Sequence, residues 1–135
     1  MPPGFEPCTM DDGDFGKSQG QLHWSEDAKR FAFRVENRHR NENGMTHGGM
    51  LMTLADQVLG LTVVRALGNN PAATVSLNCD FIDGALPGDL IEGEAVVTRI
   101  TRSLVFVQGS LQCGERRLLS ASGLWKRIRP RTTEG

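Results

Sequence analysis

The sequence predicts an α+β domain in which one curved antiparallel β-sheet wraps around a single long helix. Three observations predict it. Residues 50–67 are apolar on nearly every side (Met50, Leu51, Met52, Leu54, Ala55, Val58, Leu59, Leu61, Val63, Val64, Ala66, Leu67). A helix of that kind lies inside a protein rather than on its surface. A strand pair precedes the helix and four strand-like runs follow it, so a sheet is the natural wrapping. Finally, 135 residues suffice for one domain with a substantial core.

Composition narrows the class further. Hydrophobic residues at 39% and charged ones at 23% are ordinary for a soluble globular chain and argue against disorder. A net charge of −1 gives no electrostatic reason to expect nucleic acid or an anionic membrane as partner. Asp56, Gln57, Gly60 and Arg65 interrupt the apolar helix, which excludes a membrane span. Residues 1–7 show neither the basic nor the apolar region of a signal peptide. Cys8, Cys79 and Cys113 are odd in number and irregularly spaced. They read as free thiols of a reducing compartment, so a cytoplasmic location is expected.

Taken in order, residues 1–19 form a proline- and glycine-bearing leader with the acidic run Asp11-Asp12-Gly13-Asp14, expected to be loose. The domain proper spans residues 20–128, and 129–135 form a tail. A hairpin opens the domain: Leu22-His23-Trp24, a polar turn at 25–29, then Phe31, Phe33 and Val35 alternating with Ala32 and Arg34. Loop residues 38–46 deliver the chain to the helix, which Gly68-Asn69-Asn70-Pro71 ends. Strands follow at 74–82, 90–100, 104–113 and 117–128, separated by Gly84-Ala85-Leu86-Pro87-Gly88-Asp89 and by the tight Gly114-Glu115 turn. The expected order is a strand pair, the helix, then four sequential antiparallel strands, with no repeat and no second domain.

The stretch Asn41…Gly44…His47-Gly48-Gly49…Asp56 carries the chemistry. An aspartate nine positions after the histidine of a His-Gly-Gly turn, inside an apolar helix, resembles the acyl-CoA thioesterases of the hotdog fold. The specific resemblance is to the phenylacetate-pathway and thioesterase-superfamily-member-2 type, and it covers residues 20–128. Leu86-Pro87-Gly88-Asp89 resembles a turn common in that family. The resemblance implies hydrolysis of acyl-CoA thioesters to free acid and coenzyme A. In that reading Asp56 is general base or nucleophile, and the Gly48 N–H polarises the thioester carbonyl. Asn41 and His47 shape the site, and Thr74 helps hold the water. No cofactor is implied, since coenzyme A enters as part of the substrate.

The residue types suit that chemistry. Thioester hydrolysis needs an activated water or a carboxylate nucleophile, and a donor for the oxyanion. Gly48 opens the helix, where the first N–H groups have no intrahelical partner and the macrodipole is positive. Apolar surroundings disfavour the charged form of a carboxylate such as Asp56, which suits a base. Eight residues of helix separate Gly48 from Asp56, about 12 Å at 1.5 Å per residue. One chain can hardly bring both groups to one carbonyl. Two antiparallel helices can, so composite sites in a two-fold homodimer are expected, with a dimer of dimers as a further assembly.

Each residue also has a plainer reading. Asp56 could be a carboxylate satisfied by local bonds, His47 a helix cap, Thr74 a strand threonine, and Asn41 and Asn43 turn residues. His23 and His39 are expected to face solvent, and Trp24 and Trp125 to be packing residues. Lys126, Arg127, Arg129 and Arg131 read as a solvated strand end or as partners for coenzyme A phosphates. Zinc is disfavoured, because position 51 is leucine and no second ligand lies close in sequence. No Gly-x-Ser-x-Gly, Gly-x-Gly-x-x-Gly or Walker motif is present. Two other functions share the fold: an acyl-thioester hydratase or dehydratase, and a non-catalytic acyl-CoA-binding protein. Met50, Met52 and Leu59 are the expected lining of a pocket for an aryl or medium-chain acyl group.

Overall fold

The computed structural model describes residues 1–9 and 13–128. Seven strands form one antiparallel sheet: β1 (Glu6–Pro7), β2 (His23–Ser25), β3 (Arg30–Arg34), β4 (Ala72–Phe81), β5 (Leu90–Ile100), β6 (Leu104–Cys113) and β7 (Arg116–Arg127). Two helices accompany them, α1 (Gly13–Gln19) and α2 (Gly48–Ala66). The sheet curves around α2, and the architecture is that of the hotdog fold. No helix among the described residues is long and apolar enough to cross a membrane.

The helix forms where the sequence places it, with 19 residues and a length of about 28 Å. Its core face is continuous: Leu51, Leu54, Ala55, Val58, Leu59 and Val63 are all buried. They pack on Phe31 and Phe33 of β3, Ile91 of β5, Val105, Val107 and Leu111 of β6, and Leu119 of β7. Two glycines let the helix lie close. A Cβ at Gly109 would stand 2.5 Å from the Glu94 carbonyl oxygen and 2.7 Å from Leu59 Cδ1. A Cβ at Gly93 would stand 2.8 Å from Val58 Cγ2. Gly109 lies between Ala95 of β5 and Ala121 of β7 in the sheet register, so a row of small residues crosses the sheet.

The strand order differs from expectation. The four strands after the helix do not simply follow one another; the sheet runs β1-β2-β3-β5-β6-β7-β4. β3 pairs with β5, and β4 pairs with β7 at the far edge. The reason is the length of α2. The helix carries the chain across the sheet, so the next strand starts at the opposite edge. Loop 82–89 then returns the chain to β3.

Parts of the leader take regular structure. β1 pairs with β2, the Cys8 N–H donates to the Leu22 carbonyl at 2.8 Å, and α1 precedes the hairpin. His39, expected in solvent, is buried and ties this segment down. Its Nδ1 accepts the Glu36 N–H at 2.9 Å, so in the neutral ring Nε2 carries the proton and donates to the Gln19 carbonyl at 2.6 Å. The Arg38 guanidinium donates to the neighbouring Ser18 carbonyl. His23 is also no solvent-facing residue, since it is half-buried with its Nδ1 fully covered. Asp11, Asp12, and the tail 129–135 with Arg129 and Arg131, lie outside the described residues. Lys126 and Arg127 are exposed at the end of β7.

Two measurements check this packing. Gly109→Ala should lower stability by about 1–3 kcal/mol, because backbone and Leu59 must both give way; urea unfolding would show it as an earlier midpoint. Cys8 lies half-buried, and burial pushes its thiol up to about 11, against a smaller lowering by Arg65. The reactive thiolate is therefore scarce at pH 8. Alkylation of Cys8 there should run roughly a hundredfold slower than that of an unhindered thiol near pKa 8.5, and should rise steeply above pH 10.

Candidate active site

The site begins with a turn that spends most of its polar groups on itself. Asn41 Oδ1 accepts the N–H of Asn43 at 2.9 Å and that of Met45 at 3.2 Å. The Asn41 N–H donates to the Met45 carbonyl at 2.6 Å, and Gly44 sits at φ 82°, a conformation natural for glycine. Asn41 is thus the frame of the turn. Thr46 anchors that turn to loop 82–89, its N–H and hydroxyl donating to the Ala85 carbonyl at 2.8 and 2.9 Å. In the same loop, the Gly84 N–H and then Arg116 hold the Asp83 carboxyl below its usual range.

His47 caps α2. Its Nδ1 accepts the Gly49 N–H at 2.8 Å, and its carbonyl accepts those of Met50 and Leu51 at 2.9 and 3.1 Å. The expectation of a capping role holds; the ring itself is exposed. These bonds satisfy the donors that follow Gly48. The Gly48 N–H itself has no hydrogen-bond partner among the described residues. It stands half-buried at the positive end of the helix, free to meet an incoming oxygen. Phe81 Cε1 lies beside it, 3.7 Å from where a Cβ would sit.

Asp56 lies two turns further along α2, half-buried rather than sunk in the core. Its Oδ1 accepts the Thr74 hydroxyl at 2.8 Å. One oxygen of the carboxylate is oriented by that bond. Burial first, and then the Asp80 and Asp56 carboxylates, push the Cys79 thiol up.

Asp56 and Thr74 stand at the edge of a groove of about 460 Å³ between α2 and the start of β4. Gln57, Gly60, Leu61, Val64 and Trp125 line it, with Asn69, Pro71 and Ala72. None of Met50, Met52 and Leu59, expected to line an acyl pocket, lines this groove of one chain. Met50 and Leu59 are buried in the core and Met52 points outward. The stripe open to the groove is instead Asp56, Gly60 and Val64, spaced by four. A glycine in an apolar helix and a strand tryptophan both read as packing, and Trp125 is indeed buried in the core, with one edge on this groove.

The structure therefore brings Asp56 together with Thr74, and Asn41 together with His47 and Gly48. It does not bring the two groups together, since α2 separates Gly48 from Asp56 by about 12 Å.

A carboxylate oriented by a hydroxyl, and a free helix-start N–H, are the parts that acyl transfer to water requires. The family model of the thioesterase superfamily matches residues 43–120, from the turn through most of the sheet. The chain belongs to the thioesterase superfamily. A Pseudomonas aeruginosa protein named as an esterase is 33% identical over 129 residues, covering 93% of this chain and 96% of its own. Acyl-coenzyme A thioesterase 13 of Mus musculus is 27% identical over 78 residues, 58% of this chain and 56% of its own. The crystal structure of a Streptococcus pneumoniae thioesterase protein with coenzyme A superposes with a TM-score of 0.71. It is 22% identical and covers 96% of this chain and 93% of that one. This thioesterase is a thioester hydrolase, an enzyme rather than a bare scaffold.

If the Thr74 hydroxyl orients Asp56, Thr74→Val should cost the enzyme about 10- to 100-fold in kcat, the worth of a hydrogen bond to a charged group. Because valine matches the branched shape of threonine and suits a strand, the variant's thermal midpoint should barely move. A large fall in midpoint with unchanged kcat would contradict the assignment.

Proposed function

We propose that this thioesterase hydrolyses acyl-CoA thioesters, with aryl or medium-chain acyl groups, to the free acid and coenzyme A. The observation that carries the reading is the Asp56–Thr74 bond at the edge of a groove large enough for such a group. The thioester carbonyl accepts the N–H of Gly48 and Asp56 acts on its carbon. As general base, Asp56 takes a proton from water while the water oxygen bonds to that carbon. The oxyanion is held by Gly48 until it collapses and expels the thiolate of coenzyme A, which leaves as the thiol. As nucleophile, Asp56 would form an acyl anhydride that water then opens. The names of the mouse relative and of the streptococcal structure with coenzyme A support the acyl-CoA class.

A homodimer with composite sites completes the reading. β4 is bonded to the sheet on one side only, by β7, and Val75, Phe81 and Ile82 are each more than half exposed along or just beyond it. Antiparallel self-pairing of β4 about Leu77 and Asn78 would set Thr74 of one chain opposite Phe81 of the other. Thr74 is bonded to Asp56, and Phe81 stands beside Gly48. Such pairing supplies the missing approach of Gly48 from a second copy to Asp56 of the first.

Release of free thiol from a panel of acyl-CoAs tests the activity. Aryl and medium-chain substrates should turn over and Asp56→Asn should not, while saturable binding with no thiol from any member would refute hydrolysis. The composite site has its own test. Asp56→Asn and Asn41→Ala should each be inactive alone, the second by deforming the turn before Gly48. Co-expressed, about half of the dimers are mixed, and each of those holds one intact site. Roughly a quarter of wild-type activity should then return by two-fold symmetry. Mixed dimers as inactive as either parent would sink the composite site.

A further inference from the structure

The groove beside Asp56 ends on a polar group that the reaction does not use. Trp125 is 2% exposed, yet it is one of the groove's walls. Its indole N–H has no hydrogen-bond partner among the described residues. The edge of the ring that carries the N–H is the edge turned to Gly60, whose Cβ position lies 3.3 Å from Nε1 and 3.5 Å from Cζ2. Gly60 is itself a wall of the groove. The N–H therefore opens where a side chain at position 60 would otherwise stand. A buried tryptophan normally finds an acceptor for its N–H. Here the nitrogen keeps contact with the solvent of the groove, so a group that fills the groove takes the place of water as its acceptor.

We propose that Trp125 is a specificity-determining residue, and that the acyl group this site prefers carries a hydrogen-bond-accepting oxygen. The inference rests on the proposed use of the groove for the acyl group. Position follows from the helix. Gly60 is one turn beyond Asp56, about 6 Å along the axis. The oxygen therefore belongs four or five bonds beyond the thioester carbonyl, as an oxo or hydroxyl group on a chain. The N–H donates and that oxygen accepts. Gly60 is the companion residue, because its missing side chain leaves the N–H open.

A matched pair of substrates separates this from a merely apolar groove. 5-Oxohexanoyl-CoA and 5-methylhexanoyl-CoA share length and branching and differ in the oxygen. In the Asp56→Asn background, Trp24→Phe leaves Trp125 as the single tryptophan, since the chain has two. Its fluorescence then reports binding without turnover. We expect the oxo compound to bind about three- to tenfold more tightly, the worth of one hydrogen bond. An apolar groove would reverse the order, favouring the methyl compound about threefold for its extra hydrocarbon. Gly60→Ala should narrow the preference by screening the N–H. Trp125→Phe, followed by thiol release in the otherwise unaltered enzyme, should level the kcat/KM values of the two substrates to within about twofold. Equal binding of both compounds, or tighter binding of the methyl one, overturns the inference while leaving hydrolysis standing. Failure of either compound to bind overturns it together with the assignment of the groove. Absence of thiol release beside a clear oxo preference removes the hydrolytic reading alone.

Discussion

A helix apolar on more sides than one sheet can cover is the constraint from which the rest of this structure follows. The concave sheet takes the face of Leu51, Leu54, Ala55, Val58, Leu59 and Val63, and Gly93 and Gly109 let it close to contact. What remains is the stripe of Met52, Asp56, Gly60 and Val64, partly or wholly open. A charged residue in the middle of the buried face would carry a large desolvation cost. On the open stripe Asp56 keeps solvent on one side and the Thr74 hydroxyl on the other. This carboxylate is placed where the wrapping runs out.

The same economy governs the start of α2. A helix N-terminus leaves several backbone donors without partners, and a buried one must find acceptors. His47 accepts with both its ring and its carbonyl, yet the N–H of Gly48 is passed over. That selectivity depends on the turn before it. Asn41 fixes the turn from within, while Thr46 and the His47 N–H fix it from outside, on Ala85 and His39. His39 is in turn held by Gln19 and Glu36. The residues between 19 and 39 thus reach the active site through position and not through contact with it.

Much of this was legible in the sequence, and the rest was hidden for identifiable reasons. The helix and the strands after it follow from long periodic or alternating runs, and the turn that starts the helix follows from its Asn, Gly and His-Gly-Gly pattern, with His47 as its cap. Strand order was not legible, because pairing is decided by where α2 delivers the chain and no residue in β4 declares β7 its neighbour. His39 was misread because nothing near it in sequence reveals acceptors 20 residues away at Gln19. The short elements of the leader were hidden for the same reason. Its composition is that of a loop, but one strand bridge and a few backbone bonds suffice to seat it. Trp125 and Gly60 escaped notice because a hole in a wall is a property of two distant residues together.

The two edges of the sheet differ in how they meet a further strand. β1 protects its edge by brevity and by a proline, with two residues, one of them Pro7. Proline and short length are both ways to refuse a further strand. β4 uses neither. Its ten residues, AATVSLNCDF, contain no proline and no lysine or arginine, with Asp80 the single charge. Its side chains are largely exposed on both faces, including Val75 and Phe81. An edge of that length and character is one that proteins ordinarily blunt or pair. Pairing it through a two-fold axis would bury that apolar surface and satisfy its backbone. It would also carry one helix start toward the middle of another helix. The same pairing would answer the exposed edge, the half-open helix and the 12 Å between Gly48 and Asp56 (eight residues at about 1.5 Å each).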